Sequence, residues 1–251
     1  MKWDAQQYKE KYDFVYKYGE GLVEMLDPQP NERILDIGCG TGYLSSKIAE
    51  RCNEVIGIDL SEEMVNTARE QYPTIQFIVA DATTFSDGTG FDALFSNATL
   101  HWIADQEKLN TNMFSLLKKG GRMMVEFGGK DNVATIFNAL RATLSDKGYS
   151  KQSQTYPWYY PSIGEYATAL EKAGFRVVKA EHYDRPTLLA DEKDSMKNWI
   201  NMFGKYFFEG VTTSDKEIII NTVIEKLKPL CFVDNRWIAD YKRIRISALK
   251  E

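Results

Sequence analysis

Cysteine is scarce in this 251-residue chain: Cys39, Cys52 and Cys231 are too few and too scattered for a disulfide framework or a zinc site. Histidine is scarcer, with two residues, and no His/Asp/Glu cluster has metal-ligand spacing, so no metal is expected. No apolar run approaches the roughly 20 residues that cross a bilayer. The charged opening Met1-Lys2-Trp3-Asp4 lacks the apolar segment of a signal peptide. The expectation is a soluble cytoplasmic protein with no membrane partner. Positive charge is not in excess either: 31 Lys and Arg stand against 36 Asp and Glu, a net charge of −5. That balance argues against broad adhesion to phosphate backbones, so no nucleic-acid partner is expected. Internal repeats and low-complexity linkers are also missing. What remains is an ordinary globular composition, 43% hydrophobic with 17 glycines, long enough to bury a core without staples.

Residues 4–26 read as helix, capped by Asp4, with Tyr8, Tyr12 and Val15 on one face. Gly19 and Gly21 are expected to split it, and Asp27-Pro28-Gln29-Pro30 to end it. Apolar strands then follow at 33–37, 54–58, 75–79, 91–96 and 121–126, separated by helical stretches at 43–51, 61–71 and 106–118. Such alternation implies an α/β fold, a parallel sheet covered on both faces and doubly wound by right-handed crossovers. The second half predicts helices over 131–146 and 162–173, a strand over 175–183, helices over 194–208 and 214–228, and a strand over 237–246. The late helix pair is expected to form a cap.

The sharpest signal is Asp36-Ile37-Gly38-Cys39-Gly40-Thr41-Gly42, at the end of the first strand. Glycines there let the backbone turn tightly and approach a ligand with no Cβ in the way. A dinucleotide fingerprint needs glycines at offsets 0, 2 and 5, and the last offset falls on Tyr43. A phosphate loop is excluded because no Gly-Lys-Ser/Thr follows. Asp59 ends the second strand, where a carboxylate accepts both ribose hydroxyls, although alone it reads also as a helix N-cap. Asp81-Ala82 follows the third strand, in position to flank a base.

With Ile34–Gly42, Gly57-Ile58-Asp59-Leu60-Ser61, Asp81-Ala82, Phe95-Ser96-Asn97-Ala98-Thr99-Leu100-His101-Trp102 and Leu117-Lys118-Lys119-Gly120-Gly121, the chain resembles the class I S-adenosylmethionine-dependent methyltransferases. The last two segments are similar to the trans-aconitate methyltransferase branch of small-molecule enzymes. The resemblance implies a Rossmann-like, seven-stranded, mostly parallel sheet with an antiparallel last strand and a helical, aromatic cap. It implies an N-terminal lid over 1–30, a cofactor core over 31–130, and completion of the sheet over 131–251 with cap insertions at about 131–161 and 190–230. It implies S-adenosylmethionine as cofactor, leaving S-adenosylhomocysteine as product. Gly38, Gly40 and Gly42, with Cys39 between them, would line the methionine part, and Asp36 would support its ammonium or the loop. Asp59 would hold the ribose, with Leu60 and Met64 beside it. Asp81 would take the adenine amino group and Ala82 the ring, Asn97 would wall the pocket toward the acceptor, and Trp3 and Tyr8 would close over the cofactor.

Sulfonium chemistry leaves the protein little to activate; the task is holding an acceptor in line behind the methyl carbon, away from water. A carboxylate needs no base, whereas a phenol, alcohol or amine does. His101 is the candidate base, with a packing role beside Trp102 as the other reading. His182 reads as structural. Aromatic residues outside the core supply acceptor-binding candidates: Trp102, Trp158, Tyr159 and Tyr160, and Trp199 and Phe203, which also read with Phe207 as a buried helical stripe. Glu126 and Gly128 face the same crevice mouth, and Lys130 or Arg122 could meet an anionic acceptor there. The function expected is methyl transfer to a small molecule, at a carboxylate or hydroxyl oxygen, by a monomer or homodimer. The alternatives are a methyltransferase acting on RNA or protein, and a cofactor-binding protein without catalysis.

Overall fold

Ile34 and Leu35 are neighbours in sequence but serve different cores, and the alternation recurs at Val55 and Ile56, Ala93 and Leu94, and Met124 and Met123. Successive side chains of a strand point to opposite faces, so apolar pairs at these positions bury both faces of one sheet. In the computed structural model, which describes residues 13–189 and 194–251, the strands are β1 (Arg33–Ile37), β2 (Glu54–Asp59), β3 (Gln76–Val79), β4 (Phe91–Asn97), β5 (Leu117–Gly128), β6 (Arg176–Leu188), β7 (Phe232–Val233) and β8 (Arg236–Leu249). The helices of the first half are α1 (Asp13–Leu26), α2 (Tyr43–Ala49), α3 (Glu62–Gln71) and α4 (Gln106–Leu116). Those of the second are α5 (Ala134–Asp146), α6 (Ser150–Ser153), α7 (Ile163–Lys172), α8 (Ser195–Phe203) and α9 (Thr213–Cys231).

The sheet runs β3-β2-β1-β4-β5-β8-β6, with β1 to β5 paired in parallel. The Gly120 N–H donates to the Lys250 carbonyl at 2.7 Å while Arg245 meets Glu126, so β8 runs antiparallel to β5. The expected seven-stranded Rossmann-like sheet is therefore present. The strand order reverses between β1 and β4, the switch point at which open α/β sheets bind ligands. The two-residue β7 is an addition that the sequence did not signal. It pairs with the start of β8 through Asp234 and Asn235, whose φ angles of 49° and 62° are those of a tight hairpin.

On one face, Leu22, Val23 and Leu26 of α1 and Leu44 and Ile48 of α2 pack on Ile34, Ala93 and Phe95. On the other, Leu109 and Met113 of α4 and Tyr166 and Leu170 of α7 cover Leu35, Leu94 and Val125. The N-terminal helix is not split at its glycines. It continues through Gly19 and Gly21 because burial of Leu22, Val23 and Leu26 outweighs the ~1 kcal/mol each glycine costs. At Gly19 a Cβ would stand 2.4 Å from Leu44 Cδ1, so the glycine admits α1 against α2. Trp3, Tyr8 and Tyr12 lie outside the described residues. Met64 belongs to a helix that starts as expected: Ser61 Oγ accepts the Met64 N–H and caps α3.

The chain folds as two compact units. The first holds the chain up to Gly129, Tyr159–His182 and Ile244–Glu251; the second holds Lys130–Trp158 and Tyr183–Arg243. In the second unit, Phe137 stacks on Trp158 (ring centroids 4.4 Å apart) and lies against Trp199 and Phe207 (5.5 and 5.4 Å). Asp240 of β8 accepts the Thr135 N–H at 2.9 Å and so caps the start of α5, a role no local sequence signal announces.

Candidate active site

The glycine loop is tied to the end of β2 by its backbone. Gly38 and Cys39 both donate to the Ile58 carbonyl, at 2.7 and 3.0 Å, and the Gly40 N–H donates to Asp59 Oδ2 at 3.0 Å. The other oxygen of Asp59 accepts the Ser61 N–H at 2.8 Å. Burial pushes the Asp59 carboxyl up, and these N–H donors oppose the rise.

The three glycines have left-handed backbones, with φ of 76°, 55° and 84° at Gly38, Gly40 and Gly42, but they face different surroundings. A Cβ on Gly38 would lie 2.1 Å from Thr99 Oγ1, and one on Gly42 would lie 2.7 Å from the Phe77 ring. Among the described residues, one on Gly40 would meet nothing within 4 Å. Gly38 and Gly42 are thus required by packing, whereas Gly40 presents a backbone that no other described residue crowds.

Asp36 sits beneath the loop, 2% exposed, and its Oδ2 accepts Ser45 Oγ–H at 2.6 Å. Burial raises its carboxyl to about 7; the Ser45 hydrogen bond works against that rise and the charge of Asp59 adds to it. The same burial, with Asp36 and Asp59 nearby, holds the Cys39 thiol well above its ordinary range. Asp81 is exposed, and the Thr83 N–H that it accepts at 2.8 Å lowers its carboxyl. Ala82 beside it is buried, and Leu60 is 63% exposed immediately after Asp59.

At the end of β4, Asn97 is in register with Glu126, and Ala98, at φ 57°, donates to the Glu126 carbonyl at 2.7 Å. Thr99 Oγ1 donates to the Gly38 carbonyl at 3.2 Å, joining the glycine loop to the β4 end. His101 follows on a 3₁₀ turn, Leu100–Trp102, and is 6% exposed. Its Nδ1 accepts the Gly128 N–H at 3.4 Å, and its ring lies among Trp102, Tyr160 and Phe127 (5.3, 5.5 and 6.4 Å).

Residues 35–125 match the Methyltransferase domain family. The chain is 33% identical, over 99% of its own length and 98% of the relative's, to the uncharacterized methyltransferase C70.08c of Schizosaccharomyces pombe. It is 33% identical to a trans-aconitate 2-methyltransferase of Methylobacterium radiotolerans over 64% of this chain and 58% of that one. The fold is shared with the YcgJ protein of Bacillus subtilis at a TM-score of 0.62 and 18% identity, covering 94% of this chain and 99% of that one. The chain belongs to the class I S-adenosylmethionine-dependent methyltransferases.

The residues of this methyltransferase fit its cofactor. Gly40 offers backbone that no side chain of its own covers, Asp59 is a carboxylate already oriented by two N–H groups, and Leu60 is an exposed apolar face beside it. Among the described residues no cluster of His, Cys, Asp or Glu could hold a metal ion, and no helix is long and apolar enough to cross a membrane.

The remaining sequence candidates fall in distinct places. Glu126 is 1% exposed and accepts both Nε and Nη2 of Arg245, at 2.9 and 2.7 Å. Arg122 does not await an anionic acceptor: its guanidinium is taken by Glu32 and by the carbonyls of Leu26 and Asp27. Gly128 is buried, and Tyr159, half-buried like Tyr160, donates its N–H to the His101 carbonyl at 2.9 Å. Trp158 and Trp199 are interior to the second unit, 5% and 1% exposed, and Phe203 is half-buried against Trp199. Lys130 is exposed, while His182 packs so closely on Gly129 that a Cβ there would lie 2.6 Å from its ring. Ser45 carries no signal in the sequence, Thr99 is named only within a motif, and Arg245 reads with Arg243 on the last strand as a solvated charge or an anion contact. Their residue types are common everywhere, and only contacts across 9, 61 and 119 residues of chain give them their roles.

Proposed function

We propose that this methyltransferase delivers a methyl group to an oxygen of a small-molecule acceptor, foremost a carboxylate, by orientation and without a general base. Bound in the crevice, S-adenosylmethionine supplies a methyl group already activated on a sulfonium. Gly38, Cys39, Gly40 and Gly42 with Asp36 would hold its methionine part. Asp59, Leu60 and Met64 would take the ribose, Asp81 and Ala82 the adenine, and Asn97 the side toward the acceptor.

The observation that carries the reading is the hydrogen bond from the Gly128 N–H to His101 Nδ1. A neutral imidazole that accepts at Nδ1 carries its proton on Nε2, and there it donates rather than abstracts. A donor at that position steadies an oxygen that is already anionic, which suits a carboxylate and does nothing to deprotonate an alcohol or amine. Glu126 is not placed to act as a base either: it is 1% exposed and its Oε2 accepts both Nε and Nη2 of Arg245. Trp102, Gly128, Tyr159 and Tyr160 are the proposed apolar lining, excluding water from the transfer. Similarity to a trans-aconitate 2-methyltransferase points the same way.

The test is incubation with methyl-labelled cofactor and fractionated metabolites, followed by mass spectrometry of the product. A label released by mild alkaline hydrolysis marks a methyl ester, as expected; a stable N-methyl or ether product overturns the reading. With the acceptor known, single-turnover transfer by the His101→Gln variant should stay within about tenfold of wild type.

A further inference from the structure

One helix holds both loops on which the proposed site depends. The Asn112 amide, half-buried on α4, donates from Nδ2 to the carbonyls of Ala82 and Phe85, each at 2.9 Å. These two carbonyls bracket the loop after β3, whose Asp81 carbonyl already closes a turn with the Thr84 and Phe85 N–H groups. Two turns earlier on the same helix, Gln106 Nε2 donates to the carbonyls of Leu100 and Ile103, at 2.9 and 2.7 Å. Those carbonyls bracket the 3₁₀ turn that carries His101. A primary amide nitrogen has two N–H donors, so each side chain satisfies two carbonyls at once; neither a carboxylate nor an apolar side chain can do so. The helix is itself immobilised, with Leu109 and Met113 fully buried under the sheet and Leu116 5% exposed.

We propose that Gln106 and Asn112 are positioning residues: Asn112 sets the loop that meets the cofactor's adenine, and Gln106 sets the turn that presents His101 to the acceptor. Both loops are thereby indexed to one rigid rail, which holds the adenine edge and the acceptor side at a constant spacing. Methyl transfer by orientation needs that constancy, since a displacement of an ångström is costly. The inference rests on the reading of Asp81 and Ala82 as the adenine edge.

The experiment measures S-adenosylhomocysteine affinity by calorimetry and the imidazole resonances by NMR, which the presence of only two histidines makes simple to assign. The variants are Asp81→Asn, Asn112→Leu and Gln106→Leu, with Asn112→Ser and Gln106→Glu as replacements should a leucine variant fail to fold. Loss of two hydrogen bonds at Asn112 should weaken binding roughly tenfold and leave the His101 resonances in place. Combined with Asp81→Asn, the Asn112 change should add less than about twofold, because both act through one loop. Gln106 variants should move the His101 resonances, spare those of His182, and keep the affinity within about twofold. Wild-type affinity in the Asn112 variants while Asp81→Asn binds weakly overturns the proposal alone, as does a Gln106 variant that leaves His101 unmoved. Wild-type affinity in Asp81→Asn removes the adenine reading and the proposal with it.

Discussion

The Gly40 N–H donates to Asp59 Oδ2 across 3.0 Å, so the carboxylate expected to hold a ribose also holds the loop expected to hold the methionine part. A single side chain would thus couple two halves of the proposed ligand site, and that coupling has a measurable consequence. Asp59→Ala removes both a ligand contact and the anchor of the loop. S-adenosylhomocysteine affinity should fall by roughly 30- to 300-fold, about 2–3 kcal/mol. Calorimetric titration checks this, and a loss below about threefold would show that Asp59 does neither job.

The three glycines should separate by phenotype. Gly38→Ala and Gly42→Ala place a Cβ 2.1 Å from Thr99 and 2.7 Å from Phe77 at positive φ, so both should lower the melting temperature by several degrees. Gly40→Ala meets nothing within 4 Å among the described residues and should bear only the backbone strain of about 1–2 kcal/mol, yet lose most cofactor affinity. Thermal melts with and without S-adenosylhomocysteine distinguish the cases: ligand should raise the melting temperature of Gly38→Ala more than that of Gly40→Ala.

Asp36 makes stability depend on pH. Burial raises its carboxyl to about 7, against an ordinary aspartate near 3.9, so between those values the folded protein binds more protons at this site than the unfolded chain. Its contribution is therefore fully present at low pH and is lost as pH rises from about 4 to about 7. A shift of that size corresponds to at most about 4 kcal/mol. Asp36→Asn, which still offers Ser45 an acceptor oxygen, should flatten that part of the stability profile and melt higher than wild type at pH ~8. A variant profile as steep as wild type between about pH 4 and 7 would remove Asp36 as the cause.

Glu126 and Arg245 form a nearly buried pair, with side chains 1% and 18% exposed. Arg245→Met should destabilise the fold by about 3–5 kcal/mol, because a carboxylate is left buried without its guanidinium. Adding Glu126→Gln to that variant should recover at least half of the loss, as denaturant titration would show. Equal stability of the single and double variants would mean that charge burial is not the reason.

Much of the fold was legible because hydrophobic periodicity is local. Pairs such as Ile34 and Leu35 announce a sheet buried on both faces, and Ser61 announces the helix that it caps. Where local rules failed, a competing tertiary term won. Gly19 and Gly21 read as a break, yet the helix continues because its apolar face is buried. Phe232-Val233 was too short to register as a strand before it paired with β8. Trp158 reads as part of a lid, yet its ring is buried in the second unit, stacked on Phe137, whereas Trp199 and Phe207 are buried as the helical-stripe reading expects.

The sequence by itself determined the crevice edge, since a glycine hairpin after one strand and acids after the next two need only chain order and a parallel sheet to converge there, and the resemblance of those motifs to the class I methyltransferases implied the cofactor. It could not determine the state of those groups. That Asp59 accepts from Gly40, that Glu126 is paired with Arg245, and that Gly40 alone of the loop glycines is uncrowded among the described residues are consequences of folding. The partners lie 19 and 119 residues apart in the chain, and protonation, charge pairing and free volume depend on what surrounds an atom in space rather than on its neighbours in sequence.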